Sequence, residues 1–144
     1  MAELVQNLSA LPRRHEAGRS SVTKTSIHSP AAPPQAGPYS HAVRTGSLVF
    51  LSGQGPADPA TAEIAASLED QVRQTLTNLA AVAASADGSL DDAVRVGVYL
   101  RDMANFEVMN RVYGEFFNPP YPARTTIQSD MPIEIEIDAV LAIG

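Results

Sequence analysis

The chain reads as an α+β protein: one sheet with two helices packed on one of its faces. Three observations carry that expectation. Leu68, Val72, Leu76, Leu79 and Val82 recur at helical spacing. Ile133, Ile135, Ile137, Ala139, Leu141 and Ile143 alternate with Glu134, Glu136 and Asp138 at the period of a strand. Extended and helical runs follow one another as β-β-(β)-α-β-α-β-β, an order that suits a two-layer sandwich.

Each element has a local reason. Residues 41–44 and 48–51 flank Thr45-Gly46-Ser47, which predicts a hairpin with a glycine turn. Ser52-Gly53-Gln54-Gly55-Pro56 stops its second strand. Asp58-Pro59-Ala60-Thr61 is turn chemistry before a short extended piece over 62–64. Ser67 then opens a helix with Glu69 and Asp70 in its first turn, where the macrodipole favours acids. Asp87-Gly88-Ser89 closes it. Val94, Val96, Val98 and Leu100 alternate with Arg95, Gly97 and Tyr99 as a strand. Asp102 suits the cap of a second helix whose buried face is Phe106, Met109, Tyr113 and Phe116. Asn118-Pro119-Pro120-Tyr121-Pro122 is a stiff loop that delivers Arg124 to the next strand.

In the last strand the isoleucine face is expected under the helices, with Glu134, Glu136 and Asp138 facing away. Val140 and Ala142 continue the acid face as apolar surface. A half-apolar face left without helices needs a cover, and self-association is the simplest one.

Bulk composition bounds the function. With 144 residues and 44% hydrophobic content, one domain with a real core is the natural reading. Residues 1–34 differ from the rest and read as a mobile or partner-docking leader before a domain over 35–144; Leu4, Val5 and Leu8 suit one short helix that Pro12 ends. A net charge of -6 and a pI near 4.9 disfavour nucleic acid, because no basic stripe is present to meet phosphates. Cysteine is absent, which excludes disulfides, a thiol nucleophile and thiolate metal sites. His15, His28 and His41 have no metal-ligand spacing, so no metal is expected, and His41 reads as structural or at a pocket rim. Lys24, the only lysine, lies in the leader, so no core lysine is available for Schiff-base or pyridoxal chemistry. No stretch approaches the roughly 18 apolar residues of a membrane span, and the N-terminus lacks a secretory core; a cytoplasmic protein is the expectation.

Arg124 stands out within Pro122-Ala123-Arg124-Thr125-Thr126. An always-charged planar fork beside a short strand suits a small carboxylate, held by two parallel hydrogen bonds. On the acid face, Glu136 and Glu134 compete as the proton-transfer group. Burial between subunits would push a carboxyl there upward and poise it for that work, while a one-residue slip would turn it away.

GPYSHA from Gly37, LSGQGP from Leu51, N-x-x-Y-x-x-F-F from Asn110, PARTT from Pro122 and EIDAV from Glu136 occur in this order. Together they resemble the reactive-intermediate deaminase family (RidA, also called YjgF) from about Ala32 to the C-terminus. That resemblance implies a chorismate-mutase-like two-layer sandwich, a mixed sheet with two helices on one face, assembled as a homotrimer with sites between subunits. It implies an enamine/imine deaminase that needs no cofactor and hydrolyses short 2-imino acids of the 2-aminoacrylate type, such as 2-iminopropanoate, to 2-oxo acids and ammonia. It puts Arg124 on the substrate carboxylate, Glu136 on the attacking water and Tyr39 at the pocket mouth. Ser52 and Gly53 would face the same ligand, Asn110 would lie near the arginine, and Thr126 would lend backbone groups. Alternatives from other classes are a non-catalytic ligand-binding or chaperone-like trimer and a pathway-specific RidA-like enzyme. Ribonuclease activity is disfavoured by the acidic balance.

Overall fold

The computed structural model describes residues 22–144. The short helix expected near Leu4 lies outside the described residues. Six strands, β1 (Thr25–Ile27), β2 (Ala42–Thr45), β3 (Leu48–Gln54), β4 (Ala93–Leu100), β5 (Ala123–Gln128) and β6 (Ile135–Ala142), form one mixed sheet in the order β1-β2-β3-β6-β4-β5.

The hairpin forms as its turn predicts. Strands β2 (Ala42–Thr45) and β3 (Leu48–Gln54) pair antiparallel, closing at Thr45 opposite Leu48. Gly46 turns the chain with φ 58°, a conformation glycine adopts without steric cost. A short strand β1 (Thr25–Ile27) adds to the outer edge of β2. The leader boundary at 34 is therefore too late: β1 belongs to the sheet, and Ser29 and Ala32 are buried. At three residues, Thr25-Ser26-Ile27 is too short to show a periodicity.

His41 explains how that segment is fixed. Its buried ring accepts the Ser29 amide at Nδ1 (2.9 Å) and lies 2.7 Å from the Pro33 carbonyl at Nε2. An amide can only donate, so the proton sits on Nε2 and the imidazole is a neutral latch. It is structural.

Helix α1 (Leu68–Ser85) is capped by Ser67, whose hydroxyl accepts the Asp70 amide at 3.1 Å. Val72, Leu76, Leu79 and Val82 are fully buried against β3 and β6. Buried Asn78 donates to the Gly55 and Ala57 carbonyls at 3.0 and 2.8 Å, tying the chain beyond β3 to this helix. The extended piece expected over 62–64 reduces to one bridge between Ala57 and Ile64. Ala62 takes φ 63°, which breaks strand geometry, and the Asp58 carboxylate folds the turn by accepting the Ala60 and Thr61 amides.

Strand β4 (Ala93–Leu100) corrects a second expectation. Val96, Val98 and Leu100 are fully buried, but Val94 is 48% exposed. A register shift between Ala93 and Arg95 seats Ala93 opposite Leu141 and pushes Val94 outward, as a β-bulge does. Asp102 caps a short 3₁₀ turn by accepting the Ala104 amide at 2.9 Å; α2 (Phe106–Tyr113) begins only after that turn. Met109 and Tyr113 are buried on α2, and Phe106 and Phe116 pack half-buried against the core.

Strand β5 (Ala123–Gln128) runs parallel to β4, and β6 (Ile135–Ala142) lies antiparallel between β3 and β4. Ile133 and Ile143, expected within the last strand, flank it. Ile135, Ile137, Ala139 and Leu141 are buried under the helices, while Glu136, Asp138 and Val140 face the other side. That side also carries Leu48, Phe50 and Ile127, all substantially exposed, with Phe50 opposite Val140. The helix-free face thus carries an exposed apolar patch beside its acids, uncovered within one chain.

Candidate functional site

Arg124 lies on β5 opposite Val96, which in turn faces Ala139. These residues share the helix-side face, and α2 presents two aromatic rings there. The Arg124 guanidinium carbon lies 4.6 Å from the Tyr113 ring centroid and 5.7 Å from that of Phe106. Cations over such faces are attracted by the ring quadrupole.

The other described arginines are engaged. Arg73 meets Glu69, Asp70 and Glu115; Arg101 pairs with Glu134 and Arg111 with Glu69. Arg44 donates to the Gly46 and Ile143 carbonyls and Arg95 to Thr125. Arg124 alone has no acceptor among the described residues. Its donors open on a cavity of about 470 Å³ lined by Asn110, Tyr113, Gly114, Tyr121, Pro122 and Arg124. A groove of similar size, about 490 Å³, runs between the 56–65 loop and α1. Its cation, Arg73, is already neutralised, so it offers an anion nothing comparable.

Asn110 lines the Arg124 cavity from α2. Thr126 is two residues along β5 on the Arg124 face, with its hydroxyl buried and unpartnered.

Glu136 is elsewhere. It pairs across β6–β4 with Tyr99, which stands level with Ile127 on β5, so it occupies the helix-free face. The β3–β6 register shifts between Leu51 and Gln54, and Gly53 falls in that irregularity. Glu136 packs on it: a Cβ at position 53 would come within 2.8 Å of the Glu136 carboxyl carbon and 2.9 Å of Oε1. Burial, and then the neighbouring Asp138, push the Glu136 carboxyl above the ordinary glutamate range. Asp138 is itself held across the sheet by the Gly97 amide (3.1 Å) and the Tyr99 hydroxyl (3.2 Å).

Glu134 resolves differently. Its carboxylate pairs with Arg101, its carbonyl accepts the Arg101 amide, and Asn105 approaches it at 3.5 Å. The free carboxyl of the pair is Glu136.

Ser52 donates its hydroxyl to the Ser40 carbonyl at 2.6 Å, and its amide donates to the His41 carbonyl, fastening the Tyr39 loop to β3. Tyr39 is 49% exposed, its hydroxyl accepting the Ala36 amide at 3.1 Å. The expected residues therefore form two groups, Arg124, Asn110 and Thr126 on the helix side and Gly53 and Glu136 on the open side, and within one chain Ser52 and Tyr39 join neither. The sequence reading missed Phe106, Tyr113, Tyr121 and Pro122 as surroundings of the arginine. The two aromatic residues of α2 read as core, and only their helical spacing from Asn110 marks them.

The fold is that of a small α+β protein with an unpaired arginine at a cavity on one face of its sheet and a partly buried carboxyl on the other. A sequence profile of the family described as "Endoribonuclease L-PSP" matches residues 29–141. The chain is 36% identical over 124 residues to the 2-iminobutanoate/2-iminopropanoate deaminase of Dermatophagoides farinae, covering 83% of this chain and 97% of that one. It is 43% identical over 121 residues to the RutC family protein PH0854 of Pyrococcus horikoshii, covering 81% and 96%. Among solved structures, RidA from an Antarctic Psychrobacter aligns with a TM-score of 0.80 at 37% identity, covering 83% and 99%. Escherichia coli TdcF with bound serine aligns with a TM-score of 0.79 at 34% identity, covering 83% and 99%. The chain belongs to this family, the RidA/YjgF family that its motifs resemble. No helix among the described residues is long and apolar enough to cross a membrane.

Proposed function

We propose that this protein is a cofactor-independent deaminase that hydrolyses short 2-imino acids to 2-oxo acids and ammonia, in clefts between the subunits of a homotrimer. The observation that carries the reading is the unpaired Arg124 above its cavity, since an arginine desolvated by two aromatic rings calls for an anionic ligand. A relative with deaminase in its name and another crystallised with an amino acid support the carboxylate as that anion.

Arg124 takes the carboxylate, and Asn110 and the Thr126 backbone border it. Water adds to C2: its oxygen bonds to carbon, one of its protons passes to the Glu136 carboxylate, and Glu136 returns that proton to the imine nitrogen. The carbinolamine hydroxyl then gives up its proton, by way of the same carboxylate, to the amino group, and ammonia leaves as the C2–N bond breaks and the carbonyl forms. A carboxyl raised above its usual range by burial accepts a proton more readily than an ordinary glutamate and returns it in the next step. Positioning supplies most of the remainder, because the uncatalysed hydrolysis is already easy. Arg124 and Glu136 face opposite sides of one sheet, so a neighbour has to complete each cleft, and the uncovered Phe50–Val140 face is the surface for it.

One observation favours a second reading. If the exposed Leu48, Phe50 and Ile127 stay open in solution, that face suits an unfolded apolar segment, as in a chaperone-like binder. Suppression of client aggregation unchanged by Arg124→Ala would be its signature. A nucleic-acid substrate is disfavoured, because the chain is acidic overall and Arg73, Arg101 and Arg111 are committed to carboxylates.

The test is direct. 2-Aminoacrylate is generated enzymatically and imine loss is followed with and without the protein. Faster loss than in buffer supports the deaminase; equal rates exclude it for that substrate class.

A further inference from the structure

Tyr113 occupies a core position of α2 and is 6% exposed, which alone requires only an apolar ring. Its surroundings ask more of it. One side of the residue stacks on Phe117, with centroids 4.2 Å apart and planes 22° from parallel. Arg124 lies over its ring at 4.6 Å, with Phe106 at 5.7 Å from the same guanidinium. The Tyr113 hydroxyl is buried without a partner, so packing rather than hydrogen bonding fixes the ring.

Arg124 has many rotamers and, among the described residues, no hydrogen bond to select one. A contact through the ring face selects one while leaving the N–H donors unspent. We propose that Tyr113 is a positioning residue that holds the Arg124 fork toward its cavity. The inference rests on the carboxylate-clamp reading of Arg124 and adds to it. The aromatic ring is the active part, so phenylalanine serves equally well and an aliphatic side chain of similar volume does not. The hydroxyl is buried without a partner and has no part in holding the fork.

The test uses the full chain with 2-oxobutanoate as the probe, its affinity measured by calorimetry, alongside melting temperature and the Nε–Hε resonance of Arg124. Tyr113→Phe should bind within about twofold of the parent, and Tyr113→Leu about five- to tenfold more weakly. Phe117→Leu is the packing control: it should lower the melting temperature comparably yet keep its affinity. The Arg124 resonance, assigned by its loss in Arg124→Lys, should be displaced by the ring in the parent and in Tyr113→Phe. Normal affinity in Tyr113→Leu would overturn the proposal, as would losses in Tyr113→Leu and Phe117→Leu that simply track their melting temperatures. If Tyr113→Leu fails to fold, an unshifted Arg124 resonance in the parent still overturns it, and a shifted one supports it. Arg124→Ala separates the two readings: unchanged affinity there removes the clamp, whereas loss there with no loss in Tyr113→Leu removes only the positioning role.

Discussion

Arg124 and Glu136 stand on opposite faces of one sheet. Arg124 is level with Val96 and Ala139 beneath the helices, and Glu136 is level with Tyr99 and Ile127 on the open side. No side-chain rotation brings them together, because the sheet lies between. Either they serve separate purposes or each meets its counterpart from another subunit.

Replacing the arginine tests the clamp. Arg124→Ala should weaken binding of a 2-oxo acid by about 1.5–3 kcal/mol, the worth of hydrogen bonds to a charged group. Arg124→Lys should also bind poorly, because a point charge does not reproduce a fork. Calorimetry with 2-oxobutanoate decides; near-parent affinity in the lysine variant removes the bidentate role.

Glu136 should report itself through pH. Its carboxyl is raised in the folded protein by burial and by Asp138. Between the unfolded glutamate range, near 4.3, and that higher folded value, the native state binds more protons than the unfolded one, so stability falls as pH rises through this window. Glu136→Gln removes the penalty. It should therefore melt higher than the parent at neutral pH, with the difference vanishing below about pH 4. It should also turn over far more slowly while binding the 2-oxo acid normally, since an amide keeps the shape and accepts no proton. A parent-like melting profile with pH would show that Glu136 is not desolvated.

Glu134→Gln distinguishes the two carboxylates. Its partner is Arg101, a half-exposed pair worth about 0–1 kcal/mol. Turnover should stay near the parent value and stability should change little. Loss of turnover comparable to Glu136→Gln would move the proton-transfer role to Glu134.

Gly53→Ala probes the contact that places the carboxyl. The added Cβ meets the flexible end of Glu136, so the side chain shifts rather than the backbone, at a cost below about 1.5 kcal/mol in stability. Turnover should fall sharply. In a Glu136→Gln background the same change should add little further loss, because both act on one group. Additive losses in kcat would show that Gly53 acts apart from Glu136.

Much of this architecture was legible because one face of nearly every element is apolar. The α1 stripe from Leu68 to Val82, the Ser67 cap and the alternation in β6 come straight from burial and periodicity. β1 was not legible, since Thr25-Ser26-Ile27 is an edge fixed by the distant His41 latch rather than by its own pattern. Val94 misled because a bulge is a register event between strands, invisible in either alone. The EIDAV motif named Glu136 rather than Glu134, but that Glu134 is paired with Arg101 was not legible, since only the folded chain brings those two together. Arg124, Asn110 and Glu136 could be named from motifs, but that they fall on two faces follows from the β6–β4–β5 register and nothing shorter-ranged.

The shared cleft is the central claim, and subunit complementation tests it most directly. Arg124→Ala and Glu136→Gln chains, each inactive alone, are unfolded together in equal amounts, reassembled and assayed on 2-aminoacrylate, with light scattering to give the assembly state. In a cyclic assembly each cleft takes its arginine from one chain and its glutamate from the next, so random mixing should restore about a quarter of the parent's active sites. Co-assembled trimers with no recovered activity, or an active monomer, would contradict it.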